Sequence, residues 1–116
     1  MKLDNDLVRL MLLEVEEIVD GSICYEINSF CEVHFPDTDF SKTRYHMKYL
    51  IDAGYVESIR GFFVDITPTG RDFLNNVRDN QVWATTKETI KPLGTVALNV
   101  VSEVAATIVK KTFNLS

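Results

Sequence analysis

Apolar residues in the first twenty positions fall at Leu7, Val8, Met11, Leu12, Val15, Ile18 and Val19, the rhythm of a single helical face. The spacing predicts a helix over residues 7–19. Asp4 or Asp6 stands where a carboxylate can accept the orphan amide protons of the first turn, and Gly21 where a left-handed end is wanted. The rhythm then shortens to two. Ile23, Tyr25 and Ile27 alternate with Cys24 and Glu26, and Cys31, Val33 and Phe35 alternate with Glu32 and His34, which predicts two strands turning at Asn28-Ser29. Pro36-Asp37-Thr38-Asp39 breaks that pattern and offers Asp39 as the cap of a helix over residues 40–53, with Met47, Leu50 and Ala53 inward.

Gly54 closes that helix. Residues 55–59 and 62–66, rich in β-branched and aromatic side chains, predict a tight hairpin through Arg60-Gly61. Thr67 then caps and Pro68 opens a helix whose apolar face is Phe73, Leu74 and Val77. A further helix over residues 80–91 carries Trp83, Thr86 and Ile90 on one side, and Pro92-Leu93-Gly94 interrupts it. The last helix, over residues 95–113, has Glu103 as its single charge between Leu93 and Val109. The run is shorter than the roughly 18–20 apolar residues of a membrane span, and Thr95, Asn99, Ser102, Glu103, Thr107 and Lys110 form a polar stripe. Burial against the first helix, or against the same helix of a second subunit, accounts for its composition.

The order helix, glycine, hairpin, Thr-Pro-x-Gly, helix is that of the C-terminal half of winged-helix domains. Residues 45–56, YHMKYLIDAGYV, resemble the "HLxxLxxAGLV" recognition-helix segment of bacterial winged-helix regulators, and residues 66–71, ITPTGR, resemble the "LTPxGR" that follows the wing. Nearly the whole chain resembles a family of uncharacterised bacterial and prophage proteins, the domain-of-unknown-function family twenty-five-thirteen. Its motifs "MKxDxDLVRxxLLxxE", "YHxxxLxxAG" and "TxxGxDFLxxxRDxxVW" occur here in order, the last from Thr67 to Trp83. The resemblance implies a winged-helix-like fold and a phage or prophage origin, and supplies no activity. The expected class is therefore α+β: a winged-helix-like core over residues 1–78 with N-terminal helix, short strands, recognition helix and hairpin wing, and a C-terminal helical extension over residues 79–116.

Charge refines this picture. The formal net charge of −5 is uneven: residues 1–40 hold two bases, Lys2 and Arg9, against ten acids, whereas residues 41–60 hold four bases, Lys42, Arg44, Lys48 and Arg60, against two. Contact with double-stranded DNA would rest on that one patch: Arg44 with guanine or phosphate, Lys42 and Lys48 with phosphate, Ser41 and Tyr45 as hydrogen-bond donors, and Arg60 from the wing tip. Two features weigh against it. Surface helices ordinarily carry such bases, and the segment before the recognition helix, residues 29–35, is predicted as strand, so the helix that anchors phosphate in a helix-turn-helix is missing. Glu26, Glu32, Asp37 and Asp39 lie beside the basic helix. The alternative is a non-catalytic module binding a host or phage protein through its acidic N-terminal third or its C-terminal helix. Pairing into a homodimer through the first and last helices suits either reading.

Catalytic chemistry is not indicated. His34 and His46 have no partner at metal-ligand spacing, and no P-loop, nucleophile elbow, zinc-protease or dinucleotide-binding motif occurs, so neither enzyme activity nor a metal or cofactor is expected. Glu14, Glu16 and Glu17 suit a solvated helix face. Cys24 and Cys31 suit reduced, buried thiols. The opening MKLDND lacks the basic and apolar regions of a secretory signal, and a cytoplasmic location is expected.

Overall fold

The computed structural model describes residues 1–114. They form a mixed α+β structure of six α-helices and one small antiparallel sheet: α1 (Asn5–Ile18), β1 (Tyr25–Glu26), α2 (Ile27–His34), α3 (Phe40–Asp52), β2 (Val56–Ile59), β3 (Phe62–Ile66), α4 (Pro68–Val77), α5 (Asn80–Ile90) and α6 (Leu98–Thr112). Two compact units result, Met1–Arg71 and a second from Asp72 onward, the boundary falling within α4.

In the first unit α1 buries Leu7, Val8, Met11, Leu12 and Val15, the stripe its sequence displays, and Asp4 caps it by accepting the Leu7 N–H at 3.1 Å. The helix ends at Val19 in extended conformation, and Gly21 turns the chain left-handed at φ +84°. Tyr25 then ties the returning strand to α1, its hydroxyl donating to the Ile18 carbonyl at 2.8 Å.

The largest departure from the sequence pattern follows. Of residues 29–35, whose alternation predicts a strand, all but Phe35 are helical: α2 runs from Ile27 to His34, and only Tyr25 and Glu26 before it are strand. Ile27, Phe30, Cys31 and His34 also recur at 3.6-residue spacing, and short apolar runs satisfy both templates. Burial decides between them. A strand would set Cys31, Val33 and Phe35 on one face, but Phe30 and Cys31 are buried together while Val33 is 69% exposed. Glu26 caps this helix, its Oε2 accepting the Ser29 N–H at 2.6 Å.

Residues 35–39 connect α2 to α3, where Asp39 accepts the Lys42 N–H at 3.1 Å. α3 buries Thr43, His46, Met47 and Leu50, the i, i+3, i+4, i+7 set, leaving Ala53 exposed rather than inward. Its end is a Schellman closure: Gly54, at φ +84°, donates to Ile51 O and Tyr55 donates to Leu50 O.

The sheet has order β1-β3-β2, all antiparallel, with Tyr25 opposite Phe63 and Ile59 opposite Phe62. Phe63 lies at its centre, stacked on Tyr25 at 5.3 Å and edge-on to Phe30 at 5.0 Å. The β2–β3 turn is the two-residue Arg60-Gly61 loop, both residues left-handed at φ +53° and +85°, the backbone whose twist matches that of the strands. Thr67 caps α4 as its sequence predicts, accepting the Gly70 N–H at 3.0 Å.

In the second unit α5 packs on α6, burying Val82, Trp83, Thr86 and Ile90 against a helix that buries Leu98, Val101 and Ala105. Asp79 caps α5 through the Val82 N–H at 2.9 Å, and Lys87 lies 5.8 Å above the Trp83 ring. α6 starts at Leu98, three residues later than predicted, after a 3₁₀ turn at Lys91–Leu93 and Gly94 at φ +74°. Among the described residues no helix is long and apolar enough to cross a membrane.

Candidate nucleic-acid interface

The predicted contact residues all lie on α3 and the β2–β3 turn, and the fold treats them unequally. Ser41, Arg44, Tyr45 and Lys48 are exposed on one face of α3, and Arg60 is exposed at the tip of the hairpin. Lys42 is different. Its ammonium is 2.8 Å from Asp4 Oδ2, half-buried at the start of α1. It serves the junction of α1 and α3 and is not an open base on the surface.

Asp4 is the centre of that junction. One carboxylate oxygen caps α1, the other pairs with Lys42, and the backbone N–H donates to Nε2 of the fully buried His46 at 2.9 Å. Nδ1 of His46 lies 2.8 Å from the Lys42 carbonyl, so it must carry the proton while Nε2 accepts. The Lys42 hydrogen bond, aided by the amide of Leu7 and the charge of Lys42, holds the Asp4 carboxyl below its ordinary range despite some burial. A depressed carboxylate stabilises the fold above its ordinary pKa, and this contribution disappears as pH falls through the lowered value. Asp4→Asn is therefore expected to flatten the acid limb of stability below about pH 4, measured as the urea midpoint against pH. An acid limb identical to that of the unaltered protein would rule this out.

Arg44 and Lys48 border a surface hollow of about 250 Å³ together with Glu26, Ile27 and Asn28 from the β1–α2 junction and Gly61 from the hairpin turn. Arg44 Nε donates to Asn28 Oδ1 at 3.2 Å. Lys48 Nζ reaches Asp52 only at 4.0 Å, between two well-exposed side chains, a pairing worth little. Tyr45 and Tyr49 line a second hollow, on the far side of Lys48, with Asp52 and Ala53. Among the described residues Arg44 and Arg60 make no ion pair. The basic face is thus three side chains wide, with two carboxylates, Glu26 and Asp52, at its edges.

Sequence reasoning set Glu26 beside the basic helix, but did not find Asn28 or the capping role of Glu26. Both sit in the segment whose alternation hides a helix; the usable signal is Glu26 three residues before Ser29, a carboxylate at capping distance. Other predicted roles also shift. Glu14 is not simply solvated, because Oε1 lies 2.8 Å from His34 Nδ1 and joins α1 to α2. Cys31 is buried, which pushes its thiol pKa up, whereas Cys24 is exposed rather than in the core. Among the described residues no cluster of three metal-ligating side chains occurs.

The family model described as "Hypothetical protein (DUF2513)" matches residues 2–97. The chain belongs to that family. The match takes in α1 to α5 and stops just before α6. A Haemophilus influenzae (strain Rd) protein described as "Uncharacterized protein" is 28% identical over 120 residues, covering 96% of this chain and 98% of the relative. No solved structure matches.

Proposed function

We propose that the protein binds double-stranded DNA as a winged-helix regulator, with α3 as recognition helix and the β2–β3 hairpin as wing. The observation that supports this reading is α2. With a helix before α3, the first unit has the helix, turn, helix and hairpin sequence that lays an exposed helix in a major groove, and the objection from a missing anchor helix falls away. Arg44, Tyr45 and Lys48 face outward together, and Arg60 extends from the hairpin toward a neighbouring phosphate or groove.

Lys42 contributes to the fold in this reading, so the phosphate contacts fall to Lys48 and Arg60. With so few, affinity is modest and the salt dependence correspondingly shallow. Titration of labelled genomic duplex fragments at low salt, followed by fluorescence anisotropy, tests it. Arg44→Ala is expected to weaken specific binding by about 1–3 kcal/mol, and Lys48→Ala to weaken binding to all sequences alike. Binding no tighter than to a polyanion such as heparin, unchanged in both variants, would sink the proposal.

A protein-interaction role is the second reading. It is favoured by the ten acids of residues 1–40 and by a shallow groove between α5 and α6 lined by Thr85, Thr89, Val104 and Ile108. Capture from a lysate treated with nuclease separates the two, because partners retained without nucleic acid support this reading over the first.

A further inference from the structure

Three properties of the hollow beside Arg44 set this arginine apart from the other bases of the face. First, its orientation is biased from outside α3 by a hydrogen bond at the surface. The Arg44 Nε–H is committed to Asn28 Oδ1 at 3.2 Å, which leaves the two terminal nitrogens as the remaining pair of parallel donors. Second, that pair has no carboxylate of its own. Glu26 borders the same hollow, yet its Oε2 is held by the Ser29 N–H at 2.6 Å, and no ion pair with Arg44 forms among the described residues. Third, the negative charge of Glu26 opposes entry of a phosphate into the hollow far more than entry of an uncharged base edge.

We infer that Asn28 is a positioning residue that presents Arg44 end-on to a guanine edge in the major groove, so that Arg44 reads a base rather than the backbone. This rests on the DNA-binding reading above and deepens it by naming what the site prefers. An arginine side chain free to rotate grips phosphate and base alike. One whose Nε is held by a neighbouring helix presents an end-on fork that fits guanine O6 and N7, and the charge of Glu26 in the same hollow disfavours phosphate as its other ligand. Asn28 stands at the start of α2 and owes its place to the same Glu26 cap that holds Oε2 of the competing carboxylate.

Selection from a randomised duplex library with the full chain tests the inference. The unaltered protein is expected to enrich a motif with guanine at one defined position, and Arg44→Ala to lose that preference. Asn28→Ala is expected to reduce the guanine preference at that position at least about fivefold while leaving the other positions of the motif unchanged. Asn28→Gln, which keeps a neutral amide oxygen as an acceptor for Nε, is expected to retain most of it. Thermal melting of each variant confirms folding before selection. An Asn28→Ala motif identical to that of the unaltered protein overturns the inference, and so does an equal weakening for every sequence. Failure of the unaltered protein to enrich any motif overturns sequence reading by this face altogether, and is distinguishable because Arg44→Ala then changes nothing.

Discussion

Gly70→Ala is expected to destabilise the protein by about 2–3 kcal/mol, although the same change in an open helix stabilises by about 1 kcal/mol. Gly70 is buried in the first turn of α4, and a methyl group there would collide with the Tyr55 carbonyl oxygen and lie 2.7 Å from Ile66 Cγ2. Neither neighbour can retreat easily. The Tyr55 carbonyl accepts the Thr67 N–H at 3.2 Å, while the Tyr55 N–H closes α3 on Leu50 at 2.9 Å, so the backbone of this residue is held at both its polar groups. The overlap must therefore be relieved by moving α4 away from the end of α3, opening packing in an interior that has little slack. Urea denaturation measures the effect as a lower midpoint at unchanged slope. A midpoint equal to or above that of the unaltered protein would show that the close approach has no energetic weight. The Thr-Pro-x-Gly motif thus acquires a physical account: Thr67 caps the helix, Pro68 opens it, and Gly70 lets backbone meet backbone.

His46→Ala is expected to cost a further amount of similar size, about 3 kcal/mol, made of the cavity left by a fully buried ring and of a half-buried Asp4 N–H left without its acceptor. The loss should be local as well as global. Hydrogen exchange at Asp4 and through the first turn of α1 is expected to accelerate more than elsewhere, because the ring holds that turn to α3. If exchange rises uniformly along the chain, His46 contributes only volume. Asp4→Asn, whose cost is present at neutral pH and vanishes in acid, distinguishes the ion pair with Lys42 from this ring-mediated link.

Most elements were legible because their signals are strong and local. The long stripe of α1, the Asp39 cap and Gly54 stop of α3, Arg60-Gly61 at the hairpin and Thr67-Pro68 before α4 each state their conformation within a few residues. α2 was not legible, for a reason of length. Eight residues contain too few repeats to separate a period of two from one of 3.6, and what decides the matter, the burial of Phe30 with Cys31 and the exposure of Val33, depends on where other elements lie. The candidate site was half legible for the same reason. A helix face can be drawn from spacing, so Arg44, Tyr45 and Lys48 emerge correctly as outward. Its partners come from distant sequence. Asp4, thirty-eight positions before Lys42, withdraws that lysine from the surface, and Asn28, sixteen before Arg44, holds the arginine in place.

The left-handed arginine of the hairpin turn sets two demands on position 60 against each other. A side chain with a Cβ pays roughly 1–2 kcal/mol to adopt that backbone, and asparagine or glycine in the same place would relieve most of the cost. Relief comes only by giving up the longest reach and the sole positive charge of the tip. An engineering effort that ranks variants by thermostability alone would therefore discard arginine here early, and would do so without any signal that something other than stability had been lost.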